Sequence, residues 1–206
     1  MGDSVSDMKT IQGDARESIL RAARQILPHK GFASVGIAEI LTAAGVPKGS
    51  FYHFFGSKDA FGEALMQGYY ADYLGNMDRI LAEPGLTSAQ RLMNYWQYWR
   101  ETQSVDVYEG KCLTVKLAAE VSDLSESMRV AVKEGTAGLI DRLERTITAG
   151  LEDGSLTIDA SARDTAQALC DMWLGASLMV KVHRDNSPFD AAMTVTRQLL
   201  QVAPRP

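Results

Sequence analysis

Two stretches of this sequence carry side chains whose types and spacing could do chemistry. In "GKCLTVKLAAEVSDLSESMR", Gly110 to Arg129, Cys112 adjoins Lys111 and precedes Lys116 by four residues. A cysteine that begins a helix meets free backbone amides and the positive end of the helix dipole, and both favour the thiolate. An ammonium one turn later lies on nearly the same face. A thiolate beside ammonium groups has the composition of a sensor for oxidants or electrophiles. A lone cysteine in a helix also reads as a small buried hydrophobe, and the residue types leave both readings open. Cys170 has no such neighbourhood and is expected in the core.

The second stretch is "GVPKGSFYHFFGSKDAF", Gly45 to Phe61. A helix that enters the major groove needs a slim first turn, donors for phosphates and an apolar back that fixes it to its domain. With Phe51, Phe54 and Phe55 turned inward, Lys48, Gly49, Ser50, Tyr52 and His53 lie toward the open side. Gly49 is a poor helix former, and close backbone approach gives it a reason to be there. Lys48 can meet a base edge or a phosphate, and Tyr52 and His53 can donate to phosphates. Lys58, with the free amides of the next helix start, suits another phosphate. A helical hairpin whose aromatics only fill a core fits the same pattern.

A third group is aromatic. "NYWQYWRE" sets Tyr95 and Trp99 one turn apart with Trp96 on the adjoining face. They read as bundle core, or as the wall of a pocket for a flat or unsaturated ligand with Arg100 as an anion partner. Tyr69, Tyr70 and Tyr73 carry the same ambiguity. His29 and His183 have no metal partner at helical spacing. Glu120, Asp123 and Glu126 read as caps and solvated charges.

The elements that position these groups are helical throughout, because no segment alternates with period two over a useful length. A helix is expected from Asp14, with Glu17 completing a capping-box-like start and Ile19, Ala22, Ala23, Ile26 and Leu27 on one face. Pro28 and Gly31 mark its end. A short stripe of Ile37, Ile40, Leu41 and Ala44 stops at Gly45, and Pro47 opens the next helix. Two short helices joined by a tight glycine turn form a helix-turn-helix. Ser57 caps a long helix to Ala82; further helices are expected from about Ser88, after Cys112, and over Ser125–Leu151, Ala160–Val182 and Pro188–Val202. The fold class is all-α. The chain divides into a polar tail (1–12), a DNA-binding head (13–60) and a larger helical bundle (61–206).

Composition agrees with this division. The 206 residues carry a net charge of −5, yet up to Leu65 seven basic residues balance seven acidic ones. An acidic body with a neutral head can touch a polyanion with the head alone. The two cysteines make neither a metal spacing nor a disulfide framework, so a reducing cytoplasm is expected. "MGDSVSDMKTIQGD" has no apolar core of a secretion signal. The longest apolar run falls short of the ~20 residues that span a bilayer, so no membrane partner is expected. No nucleophile–base pair, metal cluster or phosphate loop stands out, which argues against an enzyme and against a cofactor.

"GFASVGIAEILTAAGVPKGSFYHFFGSKDAFGEAL" resembles the amino-terminal signature of the tetracycline-repressor (TetR) family, with Gly31, Phe32, Ile40, Ala44, Gly45, Val46, Gly49, Tyr52, Phe55 and Lys58 at matching places. The resemblance implies a homodimeric, one-component transcription regulator. Its last two helices would form a four-helix dimer interface and its acidic body would house an effector pocket. Gly36 stands where many members carry a threonine, which removes a phosphate contact at the start of the second helix. The block at 110–129, together with "MWLGASLMVKVHR" at 172–184, is similar to the electrophile- and reactive-chlorine-sensing repressors of that family. That likeness implies that Cys112 is the sensing thiol and that Lys181 joins it through a sulfur–nitrogen link. For that, Lys181 must approach Cys112 and be deprotonated part of the time, as burial encourages. "SVDVYEG", just before the cysteine block, matches poorly. Partners implied are double-stranded operator DNA, a second copy of the chain, and an electrophile, oxidant or small hydrophobic inducer.

Overall fold

The structure, a computed structural model, describes the backbone of residues 3–105 and 112–202 and the side chains from Ala15 onward within them. Among the described residues there is no strand. The helices are α1 (Asp3–Lys30), α2 (Ile37–Ala44), α3 (Lys48–Phe55), α4 (Lys58–Leu81), α5 (Ser88–Gln103), α6 (Leu113–Leu124), α7 (Glu126–Glu152), α8 (Ala162–His183) and α9 (Ser187–Leu199). Among the described residues, no helix is long and apolar enough to cross a membrane. Helix α1 begins at Asp3, well before the start expected at Asp14, and carries Pro28 in its last turn.

The chain forms two compact units: residues 1–69 with 116–132, and residues 70–115 with 133–206. The end of α6 and the start of α7 thus belong with the head, a grouping that a division into consecutive segments does not give.

In the first unit α1, α2 and α3 pack on one another. Ile19, Ala23 and Leu27 of α1 are buried, as the period of the sequence requires. Helix α2 ends where Gly45 turns left-handed at φ 67°, a conformation that costs glycine nothing. Pro47 is the N-cap of α3. Ser57 Oγ accepts from the amide of Ala60 at 3.0 Å and so caps the first turn of α4. The core is aromatic: the Phe61 ring lies 5.3 Å from Phe51, 5.1 Å from Phe55 and 6.4 Å from Phe32.

In the second unit α8 and α9 pack together. Thr87 and Gln90 close a full capping box on α5. Trp96 stacks on Trp173 at 4.8 Å, and Trp173 stacks on Phe189 at 5.6 Å. The indole N–H groups of Trp99 and Trp173 donate to Ser177 Oγ and Thr196 Oγ1, each at 2.9 Å. Buried polar ends are thereby satisfied within an apolar stack.

Candidate nucleic-acid interface and sensor site

Helix α3 divides its aromatics by period. Phe51 and Phe55, one turn apart, are buried. Lys48, Gly49 and His53 are exposed, Ser50 is half-buried, and Tyr52 is 54% exposed although its ring meets the edge of Phe51 at 5.4 Å. The outward edge expected from the sequence is therefore present, carrying an ammonium, a phenol and an imidazole on one slim helix. Phe54 departs from expectation. It is half-buried and helps line an open concavity of about 510 Å³, together with Ala15, Val46, Pro47, Gly49, Ser50 and His53. At about 100° per residue Phe55 lies about 40° to one side of Phe51 and Phe54 about 60° to the other, so Phe54 falls at the margin of the buried face. Among the described residues no atom lies within 4 Å of a Cβ added at Gly49, so no packing contact among them calls for glycine there.

Lys58 is placed differently from the phosphate donor the sequence suggested. Its Nζ donates to the carbonyl of Val35 at 2.9 Å and lies 5.0 Å from the centre of the Phe32 ring. The half-buried ammonium ties the chain before α2 to the start of α4. Gly36, the N-cap of α2, supplies no side-chain cap, as its identity dictates.

In the second unit Cys112 is buried directly before α6, and its amide donates to Gln103 Oε1 at the end of α5. Gln103 also lines a cavity of about 250 Å³ with Ser104, Val105, Val180, Lys181 and Arg184. Lys181 is half-buried in α8, so Gln103 is common to the surroundings of Cys112 and of Lys181. Burial pushes the phenols of Tyr73 and Tyr95 well up, and the nearby Cys112 thiol adds to that push. The buried Cys112 thiol thus lies near these two phenols. Lys116 is exposed, unlike Cys112, and the ammonium expected on the cysteine's face points to solvent. Lys111 lies outside the described residues. Cys170 is buried as expected, and that burial, with Asp171 and Cys112 adding to it, pushes its thiol up to about 12.

The third group is core. Tyr95, Trp96 and Trp99 are all buried, and Tyr95 shares a 3.1 Å hydrogen bond with Tyr73. Arg100 is not free for an anion, because its Nε and Nη2 both donate to Asp190 Oδ1 of α9, at 3.1 and 2.7 Å. One feature of this core is open: Trp96 Nε1 is buried with no hydrogen-bond partner among the described residues.

Residues 19–65 match the family of bacterial regulatory proteins named for TetR, and residues 88–196 match the tetracyclin repressor-like C-terminal domain. The chain belongs to the TetR family. It is 36% identical to the transcriptional repressor NemR of Escherichia coli K12, over 93% of this chain and 96% of NemR. It is 31% identical to the transcriptional regulator AcuR of Cereibacter sphaeroides, over 84% of this chain and 80% of AcuR. The crystal structure of the reduced form of E. coli NemR superposes with a TM-score of 0.87 at 38% identity, covering 93% of this chain and all of that one. The chain is therefore a DNA-binding transcriptional repressor of this family and not an enzyme. Among the described residues no cluster of His, Cys, Asp and Glu could hold a metal.

Sequence reasoning missed one residue of the head. Glu120, read as a solvated charge, accepts from the amides of Phe32 at 3.0 Å and Ala33 at 2.7 Å. The partners lie nearly ninety positions apart in the chain, and no local pattern announces such a contact.

Proposed function

We propose that the protein is a homodimeric cytoplasmic repressor that leaves its operator when an oxidant or electrophile modifies Cys112. Helix α3 enters the major groove with Lys48, Gly49, Ser50, Tyr52 and His53, and two copies read successive grooves about 34–36 Å apart. The observation that carries the reading is the outward polar edge of α3 over a wholly apolar back.

Support for the dimer comes from α8 and α9. On α8, Gly175, Leu178, Met179 and Val182 form an exposed apolar stripe at helical spacing, with Leu178 51% and Val182 64% exposed. On α9, Val195 and Leu199 are exposed one turn apart, beside Thr165 at the start of α8. Exposed apolar residues on both of these helices are what a second copy would cover.

For the sensor, Cys112 and Lys181 share Gln103 as a neighbour. Hypochlorous acid converts the thiol to a sulfenyl chloride with release of water. The Lys181 amine, as free base, then displaces chloride, forming the S–N bond and releasing HCl. The product must cost the DNA-bound shape more than the free one.

A second reading, reversible binding of a small hydrophobic ligand, is favoured by the unpartnered Trp96 N–H. A buried orphan donor costs about 1–3 kcal/mol, and a ligand acceptor would recover it. Fluorescence anisotropy decides between the two, using a duplex that wild-type protein selects from random-sequence DNA. Under the first reading hypochlorous acid releases the wild-type protein and leaves Cys112→Ser bound. Full release of Cys112→Ser by oxidant removes Cys112 from the mechanism.

A further inference from the structure

The turn between α1 and α2 is held by a residue from far along the chain. The amide of Gly31 closes α1 on the carbonyl of Leu27 at 2.9 Å, and the next two amides, of Phe32 and Ala33, both donate to the carboxylate of Glu120 on α6. Gly31 is left-handed at φ +85°, and a Cβ there would lie 2.9 Å from Glu120 Oε2. The left-handed backbone favours glycine there, and its lack of a side chain leaves room for the carboxylate. The carboxylate sits at the C-terminal end of α1, where the helix dipole disfavours an anion. Its two charge-assisted hydrogen bonds to main-chain N–H groups are what offset that.

We propose that Glu120 is the positioning residue through which α6 holds the head in its DNA-binding shape. From the clamped turn the packing runs straight to α3: the Phe32 ring lies 6.4 Å from Phe61, and Phe61 lies 5.3 Å from Phe51, the buried anchor of α3. Lys58 holds the far end of the same turn through the Val35 carbonyl. Helix α6 starts at Leu113, the residue after Cys112, and runs unbroken through Glu120. A displacement at its first turn is carried along a continuous helix to the clamp. The clamp is sensitive, since hydrogen bonds of this length weaken steeply when distance or angle is lost. The coupling of clamp to thiol rests on the sensor reading above; the role of Glu120 in holding the head does not.

The test uses full-length wild type, Glu120→Ala and Glu120→Gln, the selected duplex, and hypochlorous acid as the probe. Glu120→Ala is expected to bind the duplex about tenfold more weakly at matched salt, and its remaining affinity to change little on oxidation. Glu120→Gln, which keeps an acceptor, is expected to fall between it and wild type. Amide hydrogen exchange on unmutated protein gives a readout that needs no variant to fold: Phe32 and Ala33 should lose protection on oxidation while Ile19 and Leu65 keep theirs. Wild-type affinity in Glu120→Ala overturns the proposal. Unchanged exchange at Phe32 and Ala33 in oxidised protein that has released DNA overturns the coupling. Should the oxidant leave wild-type binding intact, the sensor reading fails and takes the coupling with it, and the affinity of Glu120→Ala alone decides whether the clamp holds the head.

Discussion

Helices α3 and α5 carry aromatic runs of similar density, "KGSFYHFF" and "NYWQYWRE", and give them opposite fates. In α3 two phenylalanines go inward while Tyr52 and His53 face out. In α5 Tyr95, Trp96 and Trp99 are all buried and only Tyr98 stays half-open. A helix packed along one stripe exposes part of any run that winds around it, whereas a helix packed over more of its circumference buries most of its rings. Exposed aromatics on the first kind are available for a partner, and buried ones on the second set stability.

The largest expected effect sharpens this contrast from the body side. Trp173→Ala removes the middle ring of the Trp96–Trp173–Phe189 stack and should cost about 3–5 kcal/mol in denaturant unfolding. A cost under about 1 kcal/mol would mean the stack is not a packed core.

Next comes pH. The folded Cys170 thiol lies at about 12, above the ordinary range, so the folded state holds its proton where the unfolded chain has lost it. Its contribution is complete below the unfolded value, near 8.5, and is lost as pH rises toward 12, at up to about 1.4 kcal/mol per unit. Unfolding curves between those limits should fall with pH in wild type and fall less in Cys170→Ala. Identical slopes would take Cys170 out of the dry core.

The head predicts smaller changes in stability. Tyr52→Ala should leave unfolding within about 0.5 kcal/mol of wild type while weakening DNA binding. A large loss of stability there would erase the contrast with α5. Smallest is Gly36→Thr. The N-cap φ of −79° suits any residue, and among the described residues no atom lies within 4 Å of a new Cβ. Adding the hydroxyl should stabilise α2 by a few tenths of a kcal/mol, read as a small rise in midpoint.

Much of the head was legible because its signals are local. Gly45, Pro47 and Ser57 each mark a helix boundary within a residue or two, and the period of Ile19, Ala23 and Leu27 names a buried face. What escaped depends on contacts made across the chain. Glu120 reaches the α1–α2 turn, Arg100 is engaged by Asp190 ninety residues away, and Lys58 turns in to Val35. Each is a charged side chain whose sequence neighbours suggest solvent, and only the tertiary fold supplies its partner. Phe54 shows the limit of the period itself, since the third aromatic of α3 falls at the margin between core and surface.

The central claim is that the outward edge of α3 reads DNA, and the double variant Lys48→Ala, Tyr52→Ala tests it most directly. Its affinity for the selected duplex, measured by anisotropy over a range of salt, should fall about a hundredfold with a shallower salt dependence, while its unfolding and assembly match wild type. Affinity within twofold of wild type in that variant would contradict the account.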